Sequence, residues 1–305
     1  MGPLDLVKLP VLMERTTGSP EVKIGLVDGP IATQHPDLTR ERLREISGKN
    51  GATCTHIHSL ACLHGTFVAG ILSGKRNSPA PAICPNCTLL VRPIFAEATS
   101  GREQMPSATP QELAAAIIEC VDAGARIINL SLALVQSSSK GEQALEAALD
   151  RAVRRNVIVV AAAGNQGTVG SSAITRHPWI ISVVACDLHG RPMNESNLGS
   201  SISKRGLRAP GEAVTSLSPG GQSITVSGTS VAAPFVTGAI ALLWSEFPTA
   251  TAAQIKLAIV QASTLRRASV VPPLLDAAAA CEFLWTTHAR RRTHEEGETT
   301  KRLPV

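Results

Sequence analysis

Short apolar runs alternate with longer amphipathic stretches along this chain. The runs Ile24–Val27, Thr88–Arg92, Ile127–Leu130, Val157–Ala161 and Ile180–Val184 consist mostly of Ile, Val, Leu and Ala. A half-exposed strand alternates apolar with polar residues, so near-continuous runs predict strands buried on both faces, as in a parallel sheet. Between and after them, Gln111–Ala123, Gly141–Arg155, Ala233–Glu246 and Ala252–Ala262 carry apolar residues at helical spacing. Pro110 ahead of Gln111 is a helix-start signal and Gly124 a stop. Alternation of this kind predicts right-handed βαβ crossovers: an α/β fold with a mostly parallel central sheet and helices on both faces. No internal repeat is visible. No apolar run reaches the roughly 18 residues that a membrane span needs.

With 305 residues, 44% hydrophobic and 17% charged, the chain can bury one large core. The expected organisation is an N-terminal extension over 1–22, a single α/β domain over 23–285, and a polar, disordered tail over 286–305, charged above all from Ala289 onward. Met1 to Lys23 lacks the charged-then-apolar pattern of a secretory signal, so a cytoplasmic protein is expected. A net charge of +5 and a pI near 9.0 raise the question of an acidic partner. The clusters Arg151/Arg154/Arg155, Arg266/Arg267 and Arg290-Arg291-Arg292 lack interleaved aromatics, and the chain contains no Tyr. Solvated faces account for them, and no nucleic acid is expected. Attraction to an acidic peptide stays open.

Three motifs carry chemistry. Ile24-Gly25-Leu26-Val27-Asp28 ends a buried strand in a carboxylate, where open α/β sheets place their ligands. His64-Gly65-Thr66 opens an apolar helix-like stretch. Gly228-Thr229-Ser230-Val231-Ala232-Ala233-Pro234 flanks a serine with small residues that let a peptide approach, followed by the apolar run Phe235 to Trp244. Ser230 is therefore expected at or near a helix N-terminus, where free backbone N–H groups favour developing negative charge. Pro234 is expected near the first turn, where its missing N–H does least harm. The chain order is Asp28, His64, Ser230, which suits a carboxylate–imidazole–alcohol triad.

These blocks resemble the signature blocks of subtilisin-like (S8) serine peptidases, and Ala161-Ala162-Ala163-Gly164-Asn165-Gln166-Gly167 is similar to that family's oxyanion-hole loop. The resemblance runs from about residue 20 to about 265 and implies a three-layer subtilisin-like fold. Leu63–Phe67 and Arg76–Pro85 resemble the PatA/PatG-type peptidases that mature cyanobactin-like ribosomal peptides. The resemblance implies Ser230 as nucleophile, His64 as general base and then acid, Asp28 as its orienting partner, and Asn165 as oxyanion donor beside the Ser230 N–H. It also implies that Ser131-Leu132-Ala133 pairs with the bound peptide as an added strand. Ile94 and Phe95 would wall the pockets before the cut, and Ala161, Ala162, Ala163 and Gly164 would line the pocket next to it. Nothing acidic lies in these segments, so no preference for Lys or Arg there is expected. Two departures stand out. Val231 replaces the Met common in secreted subtilisins and removes an oxidisable sulfur. Gly29-Pro30 follows the aspartate where the family often shows Ser/Thr-Gly, so the carboxylate's hydrogen bonds are expected to differ.

The expected activity is hydrolysis of a ribosomal precursor peptide, with no cofactor. Two rivals are a transamidating macrocyclase and a catalytically silent scaffold that binds precursor. Macrocyclases of the PatG type insert helices between triad Asp and His; here only 35 residues separate Asp28 from His64. Cys120, Cys186 and Cys281 sit in apolar contexts as small hydrophobes. Cys54, Cys62, Cys84 and Cys87 allow three states. Two short-loop disulfides, Cys54–Cys62 and Cys84–Cys87, are favoured by the PatA/PatG resemblance and opposed by a reducing cytoplasm. Zinc ligation by Cys54, His56, His58 and Cys62, with or without Cys84 and Cys87, matches no familiar module. Free thiols are the third. The loop after the His64 helix offers Asn77 but no carboxylate, so calcium is not expected there, and no metal is expected in catalysis.

Overall fold

The structure, a computed structural model, describes residues 2–46, 48, 51–97, 108–132, 139–261 and 269–300, with 139–140 and 289–300 as backbone only. The strands are β1 (Lys23–Asp28), β2 (Leu43–Glu45), β3 (Thr88–Pro93), β4 (Ile127–Leu130), β5 (Ile158–Ala162), β6 (Ile181–Cys186), β7 (Leu207–Pro210), β8 (Val214–Leu217) and β9 (Ser223–Val226). The helices are α1 (Pro3–Leu6), α2 (Pro10–Met13), α3 (Leu60–Ser73), α4 (Pro110–Asp122), α5 (Ser139–Arg154), α6 (Ala173–Arg176), α7 (Ser200–Arg205), α8 (Thr229–Glu246), α9 (Ala252–Gln261) and α10 (Ala277–Thr300).

Seven strands form one parallel sheet in the order β2-β3-β1-β4-β5-β6-β7, and β8 and β9 form an antiparallel hairpin. The sheet starts at β1 in chain order, gains β2 and β3 on one side of it, and then crosses to build β4 onward on the other. The carboxyl end of β1 is thus the point where successive connections diverge, and open sheets leave a crevice there. Alternate residues of the buried strands feed two cores. Ile24 and Leu26 of β1 and Ile158 and Val160 of β5 face one, with α3, α8 and α9. Val27, Val159 and Ala161 face the other, with α4 and α5. Period-two alternation between two apolar layers is why these runs carry so few polar positions. Helix α8 is buried from Val231 through Trp244, so it is apolar on every face rather than along one stripe.

The five expected strands and four expected helices are present with ends shifted by a few residues. Strand β2 was not foreseen, because Leu-Arg-Glu at a sheet edge has no apolar pattern; nor was β7, an edge strand ending in proline. Of the segment expected to be a disordered tail, residues 286–300 continue α10, and 301–305 lie outside the described residues. Its helix is anchored by Ala277, Ala280, Cys281 and Leu284, all buried, and Trp285 packs edge-on against Phe247 at 5.4 Å. The N-terminal extension also folds onto the domain: Val7, Leu9 and Leu12 are fully buried, and Arg15 pairs with Glu246.

Candidate active site

Asp28 is the last residue of β1 and has no solvent exposure. Its Oδ1 accepts from the Gly29 N–H at 2.7 Å and lies 2.7 Å from His64 Nδ1. The bond to the carboxylate puts the proton on Nδ1 and leaves Nε2 as the basic nitrogen. The His64 side chain is 16% exposed. Burial alone would lower its pKa, but the charge of Asp28 and the hydrogen bond to it prevail, and the imidazole is held above its ordinary value. Among the described residues, the second carboxylate oxygen of Asp28 has no hydrogen-bond partner. Glycine at 29 brings no hydroxyl and proline at 30 no N–H to offer it.

Glycine at 29 has a second cause. Helix α3 does not open at His64 as its motif suggested; it begins at Leu60, one turn earlier. The added turn faces the end of β1, where a Cβ on Gly29 would stand 2.0 Å from the Ala61 carbonyl oxygen. From the other side, a Cβ on Gly65 would meet the Gly29 and Pro30 carbonyls at 2.5 Å. The two glycines let helix and strand end touch backbone to backbone, and that approach brings the imidazole to the carboxylate. Gly29→Ala should therefore cost about 1–3 kcal/mol or more through overpacking and lower kcat. A variant with unchanged Tm and turnover would refute this account.

Ser230 is the second residue of α8 and is half-buried. The helix starts at Thr229 rather than Ala233, so Pro234 lies inside it and not in its first turn. A proline there cannot donate to the carbonyl four residues back, which is that of Ser230. The orphaned oxygen is taken up by the Ser131 hydroxyl at 3.0 Å. Ser131 Oγ in turn accepts from Asn129 Nδ2 at 2.7 Å, and Asn129 Oδ1 accepts from Thr237 Oγ1 at 2.8 Å. Asn129 and Thr237 are fully buried. This chain of bonds clamps the first turn of α8 onto the end of β4. Leu130 of β4 is in register with Val27 of β1, so the clamp ties the first turn of α8 to the end of the strand that neighbours the one ending in Asp28.

Asn165 follows the end of β5 in an exposed loop. Its Oδ1 accepts from both the backbone N–H and the hydroxyl of Thr229, each at 2.9 Å. With the oxygen committed to two donors, the Nδ2 end is the free donor of the amide. The Thr229 hydroxyl also accepts from the Gly164 N–H at 3.2 Å, so one threonine joins the Asn165 loop to the start of α8. The remaining expected groove residues lie at the carboxyl ends of neighbouring strands. Ile94 and Phe95 follow β3, Ser131 and Leu132 follow β4, and Ala161, Ala162, Ala163 and Gly164 end or follow β5, all of them buried. The Ser131 side chain is committed to the clamp, which leaves its backbone for pairing. Ala133 lies outside the described residues, as do Arg266 and Arg267.

Cys54 and Cys62 are joined in a disulfide with Cα atoms 5.6 Å apart. Cys84 and Cys87 are not, in contrast to the second pairing their spacing suggested. Both are fully buried thiols, and Cys87 Sγ is 3.9 Å from Ser245 Oγ. Cys120, Cys186 and Cys281 are buried thiols, and burial pushes the first two up to about 12. Sequence reasoning missed Asn129, Thr229 and Thr237. A polar Asn within Ile-Ile-Asn-Leu and a Thr within an apolar helix were the available signals, since a buried polar group needs a partner.

The arrangement combines an oriented base, a hydroxyl on a helix N-terminus, and an amide donor beside it, which is the equipment for acyl transfer. Comparison with known proteins agrees. The sequence profile of the subtilase family matches residues 19–293. Subtilisin DY from Bacillus licheniformis is 29% identical over 258 residues, covering 83% of this chain and 87% of that protein. Against several other subtilisins, the chain spans 62% of the relative's length. Among solved structures, a mutant of the protease domain of PatA superposes with a TM-score of 0.79 at 31% identity, covering 88% of this chain and 97% of that one. The prenylagaramide maturation protease PagA does so at 0.78 and 28%, covering 90% and 98%.

Proposed function

The chain belongs to the subtilase family and is a subtilisin-like serine endopeptidase, and from that premise we propose that it matures a ribosomal, cyanobactin-like precursor peptide. The 2.7 Å contact between His64 Nδ1 and Asp28 Oδ1 at the sheet's divergence point carries the catalytic assignment. Likeness to PatA and PagA supports the substrate class.

In the proposed mechanism, the precursor lies along Ser131-Leu132 as an added strand, with the residue before the cut against Ala161–Gly164. Ser230 Oγ attacks the scissile carbonyl while His64 Nε2 takes its proton. The oxyanion is held by Asn165 Nδ2 and the Ser230 N–H. The latter is the N–H of the second residue of α8, a position with no carbonyl one turn back within the helix. Asp28 stabilises the imidazolium, which then protonates the leaving amine, and water hydrolyses the acyl-enzyme by the reverse path. The enzyme is proposed to act in the cytoplasm, which its five free thiols favour and its Cys54–Cys62 disulfide opposes.

Water, rather than a substrate amine, is the proposed acceptor. Between Asp28 and Leu60, the described residues hold only a short 3-10 turn at Arg40–Arg42 and β2, so among them no helical cap stands between the triad Asp and His. A fluorophosphonate probe should label the enzyme at Ser230, and Asn165→Ala should lower kcat by the roughly 10²–10³ that losing this donor costs subtilisin. Mass spectrometry of products from a cyanobactin-like precursor should show linear acids. Cyclic products would move the enzyme to the macrocyclases, and absence of labelling would make it a scaffold.

A further inference from the structure

Among the described residues, one cluster outside the triad gathers several metal-ligating atoms: Cys54 Sγ, Cys62 Sγ and a Glu97 carboxylate oxygen all lie within 4.8 Å of one another. Glu97 comes from the segment after β3 and reaches across to the loop that leads into α3. It accepts from the Thr55 N–H at 3.0 Å and from the His56 N–H at 2.8 Å, as well as from the Thr55 hydroxyl. His56 and His58 stand exposed on the same loop.

We propose that the chain, once its Cys54–Cys62 disulfide is reduced, binds one zinc-class divalent ion through Cys54, Cys62 and Glu97, with His56 as fourth ligand. The ion then takes over from the disulfide as the staple of residues 54–62. Two thiolates, one imidazole and one carboxylate are a donor set that suits tetrahedral zinc. Zinc–sulfur arms of about 2.3 Å at the tetrahedral angle hold two sulfurs about 3.8 Å apart. That spacing fits within the cluster and needs only small side-chain rotations once the S–S bond opens. The His56 imidazole lies outside this cluster; its backbone is held by Glu97, and its exposed side chain has to swing in to complete the set. Cys84 and Cys87, the other close thiol pair, are fully buried and belong to no such cluster among the described residues.

The chemistry balances. A phosphine and a water molecule give phosphine oxide, and the disulfide takes up two electrons and two protons to become two thiols. Binding the ion then releases those two protons to solvent. A cytoplasmic enzyme meets a reducing thiol pool, where the dithiol form prevails. Cys62 lies two residues before His64 on α3, so whichever staple is in place fixes the approach to the proposed base.

The test is cobalt titration of the full-length chain, reduced under anaerobic conditions and freed of phosphine. One Co²⁺ per chain should bind with a thiolate-to-metal charge-transfer band and tetrahedral d–d bands, and Zn²⁺ should displace it. The disulfide form should give no band, and Cys54→Ser should abolish it. Glu97→Gln should weaken binding by at least the roughly 10–100-fold that losing a supporting group costs. Cys87→Ser should leave the band unchanged. Should Cys54→Ser fail to fold, peptide mapping of reduced wild type must show Zn²⁺ protecting Cys54 and Cys62 from alkylation. A reduced chain without the band, an oxidised chain with it, or a band lost with Cys87 would overturn the proposal. So would a lack of protection of Cys54 and Cys62.

Discussion

Ser230→Ala is expected to remove about six orders of magnitude from kcat, the loss that subtilisin shows when its nucleophile is deleted. The hydroxyl is the only atom of the proposed site that bonds to substrate carbon, and alanine keeps the helix start and the Ser230 carbonyl's bond to Ser131. Binding should therefore survive, with KM close to wild type and peptide still protected on the groove. Removing His64 as well should add almost nothing, because nucleophile and base act as one unit. A residual rate of about 10³–10⁴ over water should remain from the oxyanion site and binding alone. The measurement is single-turnover hydrolysis of a precursor peptide by the single and double variants. Turnover within tenfold of wild type in Ser230→Ala would end the assignment of this serine.

Asp28→Asn should cost about 10⁴ in kcat, the scale set by the same change in a serine-protease triad. An amide in that buried position offers the imidazole a neutral partner and can favour the wrong tautomer. The pH profile distinguishes this role from a structural one. In wild type, the general base works only when neutral, and its pKa is raised, so kcat/KM should fall as pH drops through a value above the ordinary imidazole range near 6.5. Without the carboxylate the raising influences vanish and burial remains, so the acid limb of the residual activity should move to lower pH. An unmoved limb would mean that Asp28 does not set the protonation of His64.

Much of the site was legible because the chemistry needs rare residues in constrained surroundings. Asp28 ends an apolar run, His64 and Ser230 each sit beside small residues, and Asn165 follows three alanines and a glycine. The supporting residues were less legible because their partners are remote in sequence. Ser131 was expected only as groove backbone, yet its hydroxyl replaces the hydrogen bond that Pro234 denies to Ser230. Thr229 had no role of its own in the serine block, yet it orients the Asn165 amide. Glu97 read as nothing at all, because its meaning comes from a loop some forty residues earlier in the chain.

By itself, the amino-acid order determined which strands are buried on both faces, that they run parallel, and which four residues are proposed to carry the chemistry. Those properties follow from local periodicity and residue type, which act over a few neighbours. Only the tertiary structure decided how they meet. It set the extra turn of α3 against Gly29, the reversal of strand order at β1, the clamp from Thr237 to Ser230, and the bonding of Cys54 to Cys62 but not Cys84 to Cys87. Each of these depends on the close approach of backbones far apart in the chain, and no local pattern encodes a distance of that kind.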